Sequence, residues 1–224
     1  MYFNATDIFL VRDRGEVSRL NGTQWVSVNT DQTPSRVSSG TAYDIVRRRF
    51  VRFGGSPISG GNPVSETWEF DGQHWTLMTE TGPSARASVA MAYDPFREVV
   101  VLFGGHDNAF NPLGDTWEWN GQTWRPVTSS GPTPRFGATM FFDDVRREMV
   151  LFGGRDAGSH RNDLWRYSSG VWILVDTPAA PSPRSEALIA FDYIRGNSVL
   201  FGGEGPDDTK GDTWIWDGSR WISR

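Results

Sequence analysis

A chain of 224 residues, 38% of them hydrophobic, is long enough to bury a core of its own. Its 27 acidic against 22 basic residues leave a net charge of -5, which argues against a nucleic-acid partner, because that would call for a basic excess or stripe. There is no cysteine, so disulfides, thiolate metal sites and cysteine nucleophiles are excluded, and exported and cytosolic locations are both compatible with the composition. No apolar run approaches the ~20 residues of a membrane helix, and MYFNATDIFLVRDRG lacks the basic and apolar regions of a secretory signal, so neither a membrane partner nor a leader is expected.

From the N-terminus, Tyr2-Phe3-Asn4 reads as the end of a strand. Ile8 to Val11 and Val17 to Leu20 read as two more, joined by a short hairpin at Arg12-Asp13-Arg14-Gly15, and Trp25 opens a fourth. From Ser38 the same order returns with longer loops, and it is clearest in the third copy. There Ser88 to Tyr93 is rich in small residues and suits a crowded innermost strand, and Asp94-Pro95-Phe96-Arg97 turns the chain. Glu98 to Phe103 reads as the second strand, and its unbroken apolar run from Val99 predicts burial on both faces. Gly104-Gly105 stops that strand, and a polar loop runs from His106 to Gly114. A third strand spans Thr116 to Trp119, and Asn120-Gly121 supplies the positive φ of a tight hairpin before the fourth strand starts at Trp124. Apolar residues never recur at helical spacing, and Gly or Pro interrupts about every ten residues, so helix is excluded.

The pattern is periodic. Phe53-Gly54-Gly55, Phe103-Gly104-Gly105, Phe152-Gly153-Gly154 and Phe201-Gly202-Gly203 follow at intervals of 50, 49 and 49 residues. Trp68, Trp117, Trp165 and Trp214 keep the same phase, and seven residues after each stands Trp75, Trp124, Trp172 or Trp221. Trp25, 50 residues before Trp75, marks a fifth copy at the N-terminus that lacks the FGG doublet. Four antiparallel strands per copy can cover their apolar faces only with neighbouring sheets, which is the logic of a propeller. The expected fold is all-β, a single β-propeller of five four-stranded blades over residues 1–28, 36–78, 86–127, 135–175 and 184–224. With these residues in register over essentially the whole length, and with Tyr43-Asp44, Tyr93-Asp94, Phe142-Asp143 and Phe191-Asp192 recurring, the chain resembles the kelch-repeat family. In particular it looks like bacterial kelch proteins with DTWEWDG-type third strands.

Strict phase makes the tryptophans core residues, each able to bury ~150–250 Å² between sheets. Arg36, Arg86, Arg135 and Arg184 recur before the innermost strands and Glu66, Asp115, Asp163 and Asp212 before the third strands. Alternation brings both sets to one rim. There they either pair and hold the blades or form an arginine circle able to bind carboxylates bidentately. Asp44/Arg47, Asp94/Arg97, Asp143/Arg146 and Asp192/Arg195 span the first turn on the opposite rim and read as structural caps. His106 and His160 fall in corresponding loops of adjacent copies and, with Asp107, Asp156 or Asp163, are a weak metal signal, while the acidic loop around Asp107 lacks EF-hand spacing, so no metal is expected. Exposed Phe110, Asn108 and Asn111 in the same loop would suit a glycan.

No nucleophile elbow, phosphate loop or separate carboxylate pair stands apart from the repeat. Galactose oxidase-like kelch enzymes need a cysteine crosslinked to tyrosine at a copper site, which this chain cannot form. The expectation is a non-catalytic scaffold without cofactor, as the family resemblance implies. It binds a protein or peptide through loops on one rim, after FGG (Ser56 to Ser65, His106 to Gly114, Arg155 to Asn162, Glu204 to Gly211) and between blades (Thr79 to Ser84, Thr128 to Pro134, Thr177 to Pro183). A lectin-like propeller and a structural building block or propeller fragment without a ligand are the alternatives, and the five copies either close as a monomeric ring, pair through broken edges as a dimer or form part of a larger propeller.

Overall fold

The computed structural model describes residues 2–3, 8–12, 16–28, 30, 34–127 and 130–224, with side chains of 2–3 and 8–9 excluded. Of the sequence readings, Asn4, residues 13–15 of the first hairpin and residues 128–129 of one inter-blade loop lie outside this set. Blade one comprises β1 (Tyr2–Phe3), β2 (Ile8–Val11), β3 (Val17–Asn21) and β4 (Gln24–Val28). β5 (Arg36–Val37) precedes blade two, which is β6 (Gly40–Asp44), β7 (Arg49–Phe53), β9 (Thr67–Phe70) and β10 (Trp75–Thr79), and β5 pairs with β8 (Ser56–Pro57) from its long loop. Blade three is β11 (Ala90–Asp94), β12 (Val99–Phe103), β13 (Thr116–Trp119) and β14 (Trp124–Val127). Blade four is β15 (Thr139–Asp143), β16 (Glu148–Phe152), β17 (Leu164–Ser168) and β18 (Val171–Val175). Blade five is β19 (Leu188–Asp192), β20 (Asn197–Phe201), β21 (Thr213–Trp216) and β22 (Trp221–Ser223). Each blade is a four-stranded antiparallel sheet in chain order from axis to outside, and the described residues contain no helix. The protein is an all-β, five-bladed propeller.

The apolar second strands are buried as their composition requires, Val100 to Phe103 and Met149 to Phe152 completely. Core residues gather at the seams rather than within blades. One cluster joins Ala42, Val51 and Phe53 of blade two to Met91, Leu102, Trp119 and Trp124 of blade three, and similar clusters join blades three to four, four to five and one to two. At three seams the ring of the FGG phenylalanine meets the tryptophan that opens the next blade's fourth strand: Phe53 and Trp124 at 5.4 Å, Phe103 and Trp172 at 5.3 Å, Phe152 and Trp221 at 5.0 Å. The glycines follow from the same contact. A Cβ on Gly54 or Gly104 would stand 2.4 Å from the carbonyl oxygen of the next blade's Arg86 or Arg135, and both glycines hold a positive φ.

Two expectations need correction. Trp75, Trp124, Trp172 and Trp221 are buried, but Trp68, Trp117, Trp165 and Trp214 are only half-buried, and Trp25 is 41% exposed. The half-buried set has another task, described below. Trp25 is open because, among the described residues, no fifth core joins blade five to blade one.

The innermost strand of blade three begins at Ala90 rather than Ser88 because Ser88 turns left-handed, with φ 52°. Ser38, Gly137 and Glu186 occupy the equivalent place with φ 56°, 63° and 54°. This conformation links the blades about the axis: Ser88 N–H donates to Ser38 O, Gly137 N–H to Ser88 O and Glu186 N–H to Gly137 O, at 2.7, 2.9 and 2.7 Å. A left-handed residue with a Cβ costs about 1–2 kcal/mol, and glycine at this place in blade four avoids that cost. Replacing Ser88 by glycine should therefore raise stability by about 0.5–1 kcal/mol after the entropic cost of glycine is subtracted. Urea unfolding would measure the gain, and a loss of stability would show that the Ser88 side chain contributes something more.

Candidate functional site

One rim carries the FGG ends, the loops after them and the inter-blade connections. Arg86, Arg135 and Arg184 lie just inside it, each 1% exposed. Arg86 forks onto Asp115 with Nη1 at 2.5 Å and Nη2 at 2.9 Å, and it also donates to the Gly104 carbonyl, the Ser84 carbonyl and the Ser84 hydroxyl. Arg135 repeats this with Asp163, Gly153 and Thr133, and Arg184 with Asp212, Gly202 and Ser182. Every N–H of these three guanidiniums is thus engaged inside the protein. Arg36 differs: it meets Glu66 through Nη2 alone at 2.8 Å, and its buried Nε has no partner.

The tryptophan two residues beyond each acid completes the pair. Trp68, Trp117, Trp165 and Trp214 donate their indole N–H to Glu66, Asp115, Asp163 and Asp212 at 2.6–2.8 Å, which is why they stay near the surface. Burial alone would raise the pKa of Asp163, but Arg135 and the Trp165 N–H hold it below its ordinary 3.8. Asp115 is lowered in the same way by Arg86 and Trp117, and Asp212 chiefly by Arg184.

On the opposite rim the first turns of blades two to five are capped by their aspartates, as with Arg47 N–H to Asp44 at 2.9 Å. The arginine three residues on returns to the same carboxylate, at 2.7 Å in blades two and three. Sequence reading missed the second partner. Arg47 also clasps buried Glu69 at 2.8 and 2.9 Å and Arg97 meets buried Glu118 at 2.5 Å. These glutamates then accept from the next blade, Glu69 from the Trp119 indole at 2.9 Å and Glu118 from the Tyr167 hydroxyl at 2.6 Å. An acid at the third position of a TWE third strand was the available signal.

Back on the loop rim, the structure draws His106, Phe110, Phe136, Arg155 and His160 into one run. The His106 ring is buried, stacks on Phe110 at 4.5 Å and 15°, meets the edge of Phe136 at 4.9 Å and places Nδ1 2.8 Å from the Asp107 carbonyl. Arg155 lies over the Phe136 ring at 5.1 Å and pairs through its backbone with His160. Burial, then Arg155, lowers the pKa of His160, whose buried Nε2 has no partner. Phe110 is 67% exposed at φ 59°, beside exposed Asn108 and over a loop tied to Asp107, which accepts from Ala109 N–H and both Asn111 donors. Among the described residues, no three histidines or carboxylates stand together as a metal site.

The rim also holds a groove of about 390 Å³ at blade four, lined by Asn162, Asp163, Leu174, Asp176, Thr177 and Ala180. β18 borders it and is the outer edge of its sheet. Its residues Val171 to Val175 include no charge and no proline, and Ile173 and Leu174 are 53% and 56% exposed. The corresponding strand of blade three carries Arg125 and Pro126, residues that discourage edge pairing. This edge was not singled out from the sequence. No helix among the described residues is long and apolar enough to cross a membrane. No family model matches the chain, and no curated protein matches it either.

The ion pairs define an acid limit. A carboxylate lowered in the folded state contributes stability that is complete above its ordinary pKa of 3.8 and is lost as pH falls below that value. Asp163→Asn leaves the buried Arg135 without a counter-charge and should cost about 3 kcal/mol at neutral pH. Its urea midpoint should also change less than that of the parent chain as the pH drops through this window. Equal acid sensitivity in both chains would remove Asp163 from the acid transition.

Proposed function

We propose that this protein is a non-catalytic binding scaffold of the kelch-repeat type, whose partner is a protein or peptide held on the loop rim. The FGG doublets, the paired tryptophans and the propeller support the family reading together. The observation that carries the binding site is the juxtaposition of the groove with the bare edge of β18. An extended segment added to that edge gains main-chain hydrogen bonds, and alternate side chains find pockets. Leu174 and Ala180 suit an apolar side chain, and Asp176 suits a basic one beside it. Inward arginines already engaged by Asp115, Asp163 and Asp212 leave recognition to the loops and this edge.

A second reading rests on Phe110, an exposed ring backed by His106 with Asn108 alongside, which is the layout of a sugar-stacking platform. The two separate by experiment. Peptides selected from a random displayed library should lose at least tenfold in affinity for Leu174→Lys, with Phe110→Ala unaffected. Glycan-array binding lost on Phe110→Ala and Asn108→Ala, without any peptide selected, would favour the lectin-like reading instead.

A further inference from the structure

The three closed seams that an FGG phenylalanine enters define a lock with recurring parts, and both halves of one more such lock lie open on this chain. The receiving half is the FGG phenylalanine, the residue that starts the third strand, and the arginine of the first turn. The inserting half is the tryptophan that opens the fourth strand, together with the hairpin before it. Trp124 donates its indole N–H to Thr67 Oγ1 at 2.8 Å and Trp172 to Thr116 Oγ1 at 3.0 Å. Where the receiving position is Val17 or Leu164, the N–H of Trp75 or Trp221 has no partner. At two seams the first-turn arginine also reaches over the next blade's hairpin. Arg47 would lie 2.6 Å from a Cβ on Gly121, and Arg146 donates to the Asp217 carbonyl at 2.6 Å, beside Gly218.

Blade five presents all three receiving groups. Phe201 is 51% exposed, whereas its counterparts Phe53, Phe103 and Phe152 are buried. Thr213 stands where Thr67 and Thr116 stand, and the Arg195 side chain is 73% exposed. Leu188, on the same face, is 72% exposed. The nearest atom to a Cβ on Gly202 is the Lys210 carbonyl of its own loop, whereas Gly54, Gly104 and Gly153 each face the next blade's arginine carbonyl. Blade one presents the inserting half. Trp25 pairs with Leu20 in the register by which Trp124 pairs with Trp119, so its ring lies on the face away from blade two. Asn21 and Gly22 take the place of Asp217 and Gly218, and nothing lies within 4 Å of a Cβ on Gly22.

We propose that blade five of one chain receives blade one of a second copy, with Trp25 packed on Phe201, its N–H on Thr213 and Arg195 over the Asn21–Gly22 hairpin. The halves are different surfaces at opposite ends of one propeller, so the contact is heterologous and joins copies head to tail. The seam it would form continues the phenylalanine–indole contact already made three times within the chain, which is why the occupant is a blade carrying an indole at this position.

The test uses two full-length variants, Trp25→Ala, which keeps the receiving face, and Phe201→Asp, which keeps the inserting one. Both replaced side chains are exposed, and far-ultraviolet circular dichroism with thermal melting checks that each variant folds. In sedimentation velocity the parent chain should grow in mass with concentration, each variant alone should sediment as a monomer, and an equimolar mixture should form a 1:1 dimer and nothing larger. The proposal is overturned by a parent chain that stays monomeric at every concentration, by association that survives in both variants alone, or by a mixture that remains monomeric. A monomeric parent whose melting temperature falls on Phe201→Asp would show instead that the two faces meet within one chain.

Discussion

The structure depends on an indole set into the preceding sheet. Removing such a ring from a core costs about 3–5 kcal/mol, whereas the N–H bond that accompanies it contributes about 1. The seams at Val17 and Leu164 display this ranking, because they lack the hydroxyl acceptor yet keep Trp75 and Trp221 buried. Packing therefore carries the seam, and the hydrogen bond sets the ring's orientation where threonine is present. The FGG glycines serve the same contact from the other side, admitting a neighbouring carbonyl to a distance that no Cβ permits.

Two polar belts clamp the apolar seams, and they differ in construction. On the loop rim each arginine and acid pair belongs to one blade and is finished by a half-buried tryptophan, so it rigidifies the blade on which the variable loops stand. On the other rim the acids Glu69 and Glu118 accept from the blade that follows, so that belt ties blades together. It fades along the chain as the third-strand position becomes Arg166 and then Ile215, while Arg146 turns to a backbone carbonyl instead. On the proposed reading, a rigid rim on which Arg86, Arg135 and Arg184 are already satisfied leaves recognition to residues that do not recur, among them Phe110, Leu174 and Asp176.

Strand order, blade number and the burial of the second strands were legible in the sequence, because short apolar runs stopped by Gly or Pro and a fifty-residue period are one-dimensional signals of sheets stacked on sheets. That Arg86, Arg135 and Arg184 share a rim with Asp115, Asp163 and Asp212 was legible too, since equal phase places both at the same strand ends, whereas their pairing there instead of an open arginine circle was decided by the tertiary structure. Other features needed the third dimension. The left-handed Ser38, Ser88 and Glu186 are conformations imposed by hydrogen bonds from blade to blade, against the preference of residues that carry a Cβ. Trp25 shares its phase with four buried rings, yet it is exposed, because burial is a property of the sheet opposite and not of the residue. The groove beside β18 and the run from His106 to His160 likewise join residues from different strands and loops, whose meeting follows from how sheets are set around an axis.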